Sequence, residues 1–512
     1  MHGYARCSSR RPGNHAVTVC RNRAAHRRRY GEPARNEADG KRTMISNADI
    51  GLVGLGVMGR NMALNFADHG YVVAGYDTDS EKVDTFNKAS EKNVGGFGSM
   101  KELAAALKKP RSLMMLVPAG KPVDAVIEEA VPYMDRGDLI IDAGNSHYTD
   151  TERRIDKVAE KGLHFMGMGV SGGEKGARYG PSMMPGGNEE AYERVKPLFE
   201  AAAAHVNGEP CVVYLGKRSA GHYVKMVHNG IEYAVMQLIA ETYDLMKRLL
   251  GLDNDRVHEI FGQWNREELA AYLIEITSAI FSQPDEESSN RLIDVIADEA
   301  KQKGTGMWTC QDAMDLQVPV PTLDMAVAMR NLSALKKLRE AGQKRFPAST
   351  RAFGGNREGF IQDLKYGLYA CMILSYAQGM AVLSSASRTY KYNLRLQDVA
   401  RIWRGGCIIR AAILDDISEA YTRQPDLDML IFDDKLREVL DRHMPSVRKV
   451  VETGIGAGIP IPAFATSLAY FDGLRSAWLP ANLIQAQRDY FGSHTYERID
   501  RKGTFHTNWN EG

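Results

Sequence analysis

The sequence predicts an α/β domain built on a parallel sheet, followed by a large all-helical domain and a C-terminal tail. From Asp49 onwards, short apolar segments alternate with helical segments, which is typical of a parallel sheet covered by helices on both faces. After about Ser219 the strand signals cease and long segments of helical periodicity follow. A glycine-rich turn directly after the first strand makes the α/β domain Rossmann-like.

The individual elements follow from local patterns. Apolar runs bounded by glycine, proline or polar residues predict strands at 49–55, 71–76, 112–117, 138–142, 164–170 and 211–215. Helical periodicity predicts helices at 60–69 and 101–108 in the first half of the chain. In the second half it predicts helices at 223–250, 266–281, 290–303, 323–341 and 357–385.

These changes in pattern divide the 512 residues into four parts. Residues 1–46 are rich in arginine, and we expect a basic, disordered extension; a natural arm, a transit peptide and translated sequence upstream of a start at Met44 stay open. Residues 47–219 form the Rossmann-like domain and 220–477 the helical domain. Residues 478–512, polar and aromatic, form a tail that either frays or packs on another surface.

Composition limits the possible partners. The net charge is +1 with a pI near 7.7, so nothing indicates binding to nucleic acid or to an acidic membrane surface. We find no uninterrupted apolar run of membrane-spanning length. The six cysteines lack metal-ligand spacing. We therefore expect no metal, free thiols and a cytoplasmic location.

The turn after the first predicted strand indicates dinucleotide binding. It reads Gly54-Leu-Gly56-Val57-Met58-Gly59 and opens a predicted helix, so its backbone can approach a pyrophosphate closely. Asp77, at the end of the second strand, can accept hydrogen bonds from the ribose hydroxyls of NAD and would repel the 2′-phosphate of NADP. The alternative for Asp77 is that it only caps the following turn.

A stripe of polar residues on an apolar helix indicates an active site. Lys225, His228, Asn229 and Glu232 are spaced i, i+3, i+4 and i+7, which places them on one helical face. Such residues usually form a solvated surface. Here the neighbouring positions are apolar, so the helix is predicted to be buried and the stripe needs partners or a ligand.

Two further glycine-rich segments can bind anions. Residues 170–187 place glycines beside Ser171, where backbone N–H groups could meet a carboxylate. Residues 301–306 form a basic turn with a hydroxyl that suits a phosphate. Each segment, taken alone, could equally be an ordinary loop.

Seven motifs in order resemble the long-chain 6-phosphogluconate dehydrogenases, from about Met44 to the end of the chain. They are Gly54-Leu-Gly-Val-Met-Gly59, Ile141-Asp-Ala-Gly-Asn-Ser146, Gly169-Val-Ser-Gly-Gly-Glu174, Lys225-Met-Val-His-Asn-Gly-Ile-Glu-Tyr233, Lys303-Gly-Thr-Gly306, Trp403-Arg-Gly-Gly-Cys-Ile-Ile-Arg410 and Leu483-Ile-Gln-Ala-Gln-Arg-Asp-Tyr-Phe-Gly-Ser-His-Thr-Tyr496. The resemblance implies oxidative decarboxylation of 6-phosphogluconate to ribulose 5-phosphate in the pentose phosphate pathway, with reduction of NAD or NADP.

The resemblance also implies roles for individual residues. Lys225 would be the general base and Glu232 the acid that protonates the enol left after decarboxylation. The cofactor would contact Gly54, Gly56, Val57, Met58, Gly59, Asp77, Val117, Ala119 and Asn145. The sugar acid would contact Asn145, Ser171, Gly172, Gly173, His228 and Asn229, and its phosphate Tyr233, Lys303, Thr305 and Arg330. Arg488 and His494 would reach the site of a second subunit, which implies a homodimer.

The sequence departs from the family at four places. Many members have Asn-Arg-Thr at the second strand end, where this chain reads Tyr76-Asp77-Thr78, and Val-Lys-Ala-Gly where it reads Val117-Pro118-Ala119-Gly120. His147 replaces a glutamate and Met307 a lysine. The first two changes remove positive charge near the cofactor, so we expect NAD, with NADP as the alternative.

Two rival functions remain open on the sequence alone. A related β-hydroxyacid dehydrogenase for a non-phosphorylated acid would suit the Lys225 helix, although Lys303, Thr305, Arg330 and Arg488 favour a phosphate. A catalytically silent dinucleotide-binding protein is the second rival. The presence of both Lys225 and Glu232 argues against it.

Overall fold

The N-terminal half of the chain forms a mainly parallel sheet. The computed structural model describes residues 45–88, 93–347 and 353–509, so nearly all of the predicted basic extension lies outside the described residues. Within them the sheet strands are β1 (Ile50–Val53), β2 (Val73–Tyr76), β3 (Val94–Phe97), β4 (Ser112–Met115), β5 (Leu139–Asp142), β6 (His164–Ser171) and β7 (Ser182–Gly187). Their order is β3-β2-β1-β4-β5-β6-β7; β7 runs antiparallel to β6 and the other pairs are parallel.

Helices cover both faces of this sheet. They are α1 (Val57–Asp68), α2 (Ser80–Lys88), α3 (Met100–Ala106), α4 (Lys121–Ala130), α5 (Tyr148–Ala159), α6 (Gly173–Tyr179) and α7 (Glu189–Ala202). Alternate strand residues point to opposite faces. Accordingly Ile50 and Leu52 belong to the apolar core that contains α1 and α7, while Val53 belongs to the core that contains α3, α4 and α5. The predicted Rossmann-like α/β fold is confirmed.

The rest of the chain is helical. Its helices are α8 (Ala220–Asp244), α9 (Asn254–Trp264), α10 (Tyr272–Ser282), α11 (Thr305–Asp315), α12 (Pro321–Ser333), α13 (Lys336–Arg345), α14 (Arg357–Thr389), α15 (Leu396–Ile402), α16 (Ile413–Arg423), α17 (Asp434–Gly456), α18 (Pro462–Leu474) and α19 (Ala481–Gly492). Two short hairpins pair β8 (His205–Val206) with β9 (Glu209–Pro210) and β10 (Tyr496–Glu497) with β11 (Thr504–Phe505).

Two long helices form the centre of the helical part. α8 packs against β6 and β7 on one side and against α11, α12 and α14 on the other, which explains why it is apolar around most of its circumference. α14 is long and apolar enough to span a membrane by length and composition. However, 89% of its apolar window is buried inside the protein, as in the core helix of a globular domain.

Several predicted elements differ from the structure. The strand predicted at 211–215 is reduced to an isolated bridge between Met183 and Val212. The helix predicted at 290–303 is wrong: only the 3-10 turn Leu292–Asp294 forms, and its apolar neighbours Val295 and Ile296 are exposed, so the helical pattern finds no core to pack against. The tail after residue 478, predicted to be irregular, contains α19.

Other predicted helices have different bounds. The helix predicted from residue 266 begins only at Tyr272, because residues 266–270 form turns. The helix predicted at 323–341 is divided into α12 and α13 at Ala334 and Leu335. β3 and β7 were not predicted, because their glycines and proline lower the strand signal.

Candidate active site

The glycine turn after β1 leaves open space at the start of α1. Gly54 has a φ of +93°, and a Cβ on Gly59 would lie 1.8 Å from the Gly54 carbonyl oxygen, so the turn can close only with glycine. A Cβ on Gly56 would meet nothing within 4 Å. Val57 and Met58 then open α1, whose first N–H groups have no helical partner. This cradle fits a pyrophosphate.

Asp77 lies beside this turn at the end of β2. Its Oδ2 accepts a hydrogen bond from the Leu55 backbone N–H at 2.8 Å, and its Oδ1 accepts one from the Asp79 N–H at 3.0 Å. Asp77 therefore does cap the following turn, and the same carboxylate holds the backbone of the glycine turn at Leu55. The Lys82 ammonium is 3.5 Å from Asp77 Oδ1, a positive charge that the sequence analysis overlooked.

A buried network holds the loop that follows β5. Asp142 accepts a hydrogen bond from the Ser146 hydroxyl at 2.6 Å and one from the Gly144 N–H at 3.0 Å. The fully buried Arg154 donates to Ser146 at 3.1 Å. Asn145 lies between these anchored residues and is itself exposed. The segment with Val117 and Ala119 follows the neighbouring strand β4, so it lies at the same carboxyl edge of the sheet.

The four polar residues of α8 form one cluster. Lys225 is 6% exposed and His228 is fully buried. The Lys225 Nζ and His228 Nδ1 are 3.5 Å apart, His228 Nδ1 is 3.0 Å from Asn229 Oδ1, and it is 3.8 Å from Glu232 Oε2. The predicted one-face arrangement is thus present on a helix that the core surrounds. Gly169 on β6 makes room for it, because a Cβ there would lie 2.3 Å from the Lys225 Cβ.

Burial changes the ionisation of this cluster. It lowers the pKa of Lys225, while the charges of Glu232 and Cys407 act in the opposite direction. Burial, together with the Lys225 charge, holds the pKa of His228 well below its ordinary value. Burial also raises the pKa of Glu232, against the opposing charges of Lys225 and Arg330. A neutral amine and a protonated carboxyl are both easier to reach here than in water.

The glycine loop at the end of β6 faces this cluster. The Ser171 Oγ is 3.3 Å from His228 Nε2, and Gly172 and Gly173 follow with positive φ angles at the start of α6. The Gly406 carbonyl packs directly on this loop, since a Cβ on Gly172 would lie 2.5 Å from its oxygen. The structure therefore brings the predicted substrate loop against the Lys225 helix.

Of the predicted phosphate residues, Tyr233 follows Glu232 directly on α8, and groups from α11 and α12 pack around its ring. The Arg330 guanidinium carbon is 3.5 Å from the ring centre of Tyr233, and burial lowers the pKa of Arg330. Gly306 packs closely on the same ring, since a Cβ there would lie 2.4 Å from a ring carbon. Thr305 begins α11, and Lys303 precedes it in an exposed position. These groups surround a helix N-terminus, which attracts anions.

The two predicted tail residues are not part of this cluster. Arg488 donates to the Gln485 side chain at 3.0 Å, and the His494 ring packs on Phe491 with centres 5.9 Å apart. Both are exposed. Within the described residues of this one chain, neither forms a hydrogen bond or ion pair with the Lys225 cluster.

Comparison with known protein families matches both halves of the chain. Residues 49–216 match the family model "NAD binding domain of 6-phosphogluconate dehydrogenase". Residues 221–509 match "6-phosphogluconate dehydrogenase, C-terminal domain". The chain belongs to the 6-phosphogluconate dehydrogenase family. The resemblance stated from its motifs is therefore confirmed.

Individual members of the 6-phosphogluconate dehydrogenase family match over most of the chain. The NADP(+)-dependent, decarboxylating 6-phosphogluconate dehydrogenase of Bacillus subtilis is 48% identical over 468 residues, which is 91% of this chain and 100% of that protein. The decarboxylating enzyme of Homo sapiens is 48% identical over 91% of this chain and 97% of its own. A solved structure of the Plasmodium falciparum enzyme, studied in its apo form, with NADP+ and with 6-phosphogluconate, has a TM-score of 0.88 and 45% identity, and covers 90% of this chain and 100% of that one.

Two residues beside the Lys225 cluster, Trp403 and Cys407, belong to a motif of the sequence but were given no predicted role. The centres of the Trp403 and His228 rings are 5.8 Å apart, and the ring planes meet at 74°. Cys407 is buried close enough to Lys225 to raise the pKa of that lysine. Burial raises the pKa of Cys407 to about 12. The motif at 403–410 was the only sequence feature that could have indicated Trp403 and Cys407, because no pattern in the sequence relates this turn to α8.

Proposed function

We propose that the protein oxidises and decarboxylates 6-phosphogluconate to ribulose 5-phosphate and carbon dioxide, with reduction of a nicotinamide dinucleotide. The observation that carries the proposal is the buried pair on α8. Lys225 and Glu232 lie on one helical face, and burial moves the pKa of each towards its neutral form. A base and an acid so placed can serve two proton transfers in turn.

Lys225 serves as the base in the oxidation step. Its neutral amine removes the proton of the C3 hydroxyl as C3 becomes a ketone. When bound, the nicotinamide accepts the hydride that leaves C3. Burial lowers the pKa of Lys225, so its neutral amine forms at a lower pH than that of an exposed lysine, and the protonated amine is then held beside the new C3 oxygen.

Glu232 serves as the acid after decarboxylation. The C1–C2 bond breaks, carbon dioxide leaves, and the electron pair enters the C3 ketone, which takes back the proton from Lys225. Glu232 then donates its proton to C2 of the resulting enediol while the neutral Lys225 removes the C3 hydroxyl proton again, so that C3 becomes the ketone and C2 the terminal carbon of ribulose 5-phosphate. Its raised pKa keeps the carboxyl protonated at higher pH than an exposed glutamate.

The surrounding residues hold the substrate at both ends. We assign the sugar acid to Ser171, Gly172, Gly173, Asn145, His228 and Asn229, among which His228 contacts both Ser171 and Asn229. We assign the phosphate to Tyr233, Thr305, Arg330 and Lys303. The Arg330 guanidinium on the Tyr233 ring and the start of α11 supply the positive charge that a dianion needs.

The test compares 6-phosphogluconate with gluconate, which lacks the phosphate. We expect carbon dioxide release and dinucleotide reduction with 6-phosphogluconate, and a fall of at least about 100-fold in kcat/KM with gluconate because the charged contacts are lost. Equal rates with both would reject the phosphate assignment and favour a dehydrogenase for non-phosphorylated β-hydroxy acids.

For the cofactor we propose NAD. Asp77 places a carboxylate at the ribose end of the site, and Thr78 supplies no positive charge. The glycine cradle would meet the pyrophosphate, with Val117, Ala119 and Asn145 near the nicotinamide end. The nearby Lys82 could offset part of this preference. The Bacillus subtilis relative is named as NADP(+)-dependent. Asp77→Arg is expected to increase the rate with NADP, because an arginine can bind the 2′-phosphate that Asp77 repels. An unchanged preference would place ribose recognition elsewhere.

We also propose that the protein works as a homodimer with exchanged tails. Arg488 and His494 lie exposed, away from the site of their own chain. The same tail exposes Trp478, Leu483 and Phe491, the last by 73%, which a second copy of the chain would cover. An isologous contact would bring each tail to the other subunit's site.

We also propose a role for each part of the chain and a location for the protein. We assign dinucleotide binding to residues 47–219, substrate binding and dimerisation to 220–477, and contact with the partner site to 478–512. We propose a cytoplasmic location, which the four free, buried cysteines of the described residues support: Cys211, Cys310, Cys371 and Cys407.

A further inference from the structure

One carboxylate joins three elements that contribute to the proposed site. Asp312 on α11 is 3% exposed. Its Oδ1 accepts hydrogen bonds from the hydroxyls of Tyr148 at 2.5 Å and Tyr390 at 2.7 Å, and its Oδ2 accepts one from the hydroxyl of Tyr223. We call these four residues the Asp312 junction. Three donors on one buried carboxylate form charge-assisted hydrogen bonds, which are stronger than neutral ones.

The rings of the Asp312 junction also pack on one another. Tyr148 and Tyr223 meet edge to face with centres 5.1 Å apart, and Tyr390 lies 5.7 Å from Tyr148 and 5.8 Å from Tyr223. Burial and the Asp312 charge raise the pKa of Tyr148 and of Tyr223 far above the ordinary value, so both remain hydrogen-bond donors. The geometry is therefore fixed by rings and hydroxyls together.

Three of the four members of the junction lie close in sequence to different parts of the proposed site. Tyr148 begins α5, directly after the loop that carries Asn145. Tyr223 precedes Lys225 on α8. Asp312 belongs to α11, the helix that Thr305 begins. The junction thus ties the cofactor loop and the phosphate helix to the helix of the base.

We infer that the Asp312 junction sets the position of the Asn145 loop and of the α11 N-terminus relative to Lys225, so that Asp312, Tyr148 and Tyr223 are positioning residues for hydride transfer. None of them is assigned a contact with substrate or cofactor above, and the inference rests on the proposed function. Hydride and proton transfer depend steeply on distance, and displacement of a reacting group by about 1 Å can cost about 100-fold in rate.

The test removes single hydrogen bonds without removing rings. Tyr148→Phe, Tyr223→Phe and Asp312→Asn are compared with Tyr214→Phe, a matched control that removes a hydroxyl bonded to the Gly187 carbonyl at 2.9 Å, outside the junction. Each variant is assayed with saturating 6-phosphogluconate and dinucleotide at a temperature where circular dichroism shows it folded. The readouts are kcat, both KM values and the primary isotope effect with substrate deuterated at C3.

The expected result is a loss of about 10-fold in kcat for the three junction variants, with a larger deuterium isotope effect and at most about 3-fold change in KM for 6-phosphogluconate. The double variant of Tyr148→Phe with Tyr223→Phe should lose less kcat than the product of the two single losses, since both hydroxyls act through the same carboxylate. Tyr214→Phe should keep the wild-type kcat and isotope effect.

Three results would overturn the inference. A lower melting temperature with wild-type kcat and isotope effect in all junction variants would leave the junction a purely structural role. Equal losses of kcat in Tyr214→Phe would show that any lost hydroxyl slows the enzyme. Absence of dinucleotide reduction by the wild-type protein would reject the proposed function itself, and this inference with it, before any variant is compared.

Discussion

At the scale of single residues, the proposed chemistry depends on a buried lysine, Lys225, that forms no ion pair with any carboxylate in the described part of the chain. Lys225 has His228 at 3.5 Å, and Glu232 acts on it from a greater distance. Lys365, which is also buried, instead has the carboxylates of Glu267 and Glu268 in direct contact, and its pKa is raised. The two lysines show how a nearby carboxylate decides between a structural ion pair and a candidate base.

This contrast gives the first prediction. Lys225→Met should lower kcat by about 100-fold or more, because the C3 proton has no acceptor, while the fold is retained. Lys365→Met, the matched control, should reduce stability and leave kcat near wild type. The measurements are initial rates and thermal unfolding of both variants. A near-normal rate in Lys225→Met would remove this lysine from the base role.

The pH dependence of the rate tests the pair together. The active form has Lys225 neutral and Glu232 protonated, so kcat/KM should rise as Lys225 loses its proton and fall as Glu232 loses its own. Burial lowers the first pKa and raises the second, so the two limbs approach each other in a bell-shaped profile. In Glu232→Gln the falling limb of the profile should disappear, so that a single ionisation remains, and kcat should be at least about 100-fold lower. An unchanged bell in this variant would exclude Glu232 as the acid.

Residue patterns alone predicted this cluster but not its surroundings. The i, i+3, i+4, i+7 spacing on an otherwise apolar helix was sufficient to place Lys225, His228, Asn229 and Glu232 together. Trp403 packs on His228 from a turn far away in the chain, and only the folded structure brings them together. Contacts of this kind leave no periodic signal in the sequence.

At the scale of elements, α8 also anchors the helical core beyond the site. Glu241, 2% exposed, accepts the backbone N–H groups of Ala463 at 2.9 Å and Phe464 at 3.0 Å at the start of α18. Burial raises the pKa of Glu241 to about 7, although these hydrogen bonds oppose the shift. The desolvation of this carboxylate therefore exceeds what the helix N-terminus returns.

Glu241 predicts a pH-dependent stability. Because its folded pKa exceeds the unfolded one, the folded protein binds more protons between about pH 4.5 and 7, and the free energy of unfolding falls as pH rises through this window, by about 3 kcal/mol at most. In Glu241→Gln this slope should be smaller than in wild type. Urea unfolding from pH 5 to 8 measures it, with the exposed Glu438→Gln as control. The same slope in all three proteins would contradict the assignment.

The predictions of strands and helices succeeded where the apolar residues of the pattern pack against another element of the fold. Strand patterns at 49–55 and 138–142 became β1 and β5 because helices cover both faces of the sheet. The helical pattern at 290–303 failed because Leu292, Val295 and Ile296 are exposed and only Ile293 of these apolar residues packs on the core. β7 was missed because Pro185 and two glycines hide a strand that pairs only at the sheet edge.

At the scale of the whole molecule, the position of the tail is the feature that one chain does not explain. Arg488 and His494 are exposed and apart from the Lys225 cluster, while the neighbouring Leu483 and Ile484 are each 60% exposed. A partner chain would cover the exposed apolar surface and would bring Arg488 and His494 to a site that they can contribute to.

Mixed dimers test this arrangement. Lys225→Met and Arg488→Ala should each be nearly inactive alone, but mixed and reassembled chains should regain about a quarter of wild-type activity, since half the dimers would then hold one site with both residues intact. Arg501→Ala, another exposed arginine of the tail, should remain active alone. A mixture no more active than the average of its parents would contradict the exchange of tails.

The most direct test of the account is the reduction of NAD and of NADP, side by side, by the purified protein with 6-phosphogluconate, followed by nicotinamide absorbance together with carbon dioxide release. The account predicts one carbon dioxide for each dinucleotide reduced, and a higher kcat/KM with NAD than with NADP because of Asp77. Preference for NADP would keep the reaction and reject the role of Asp77. No reduction of either dinucleotide would contradict the proposed function.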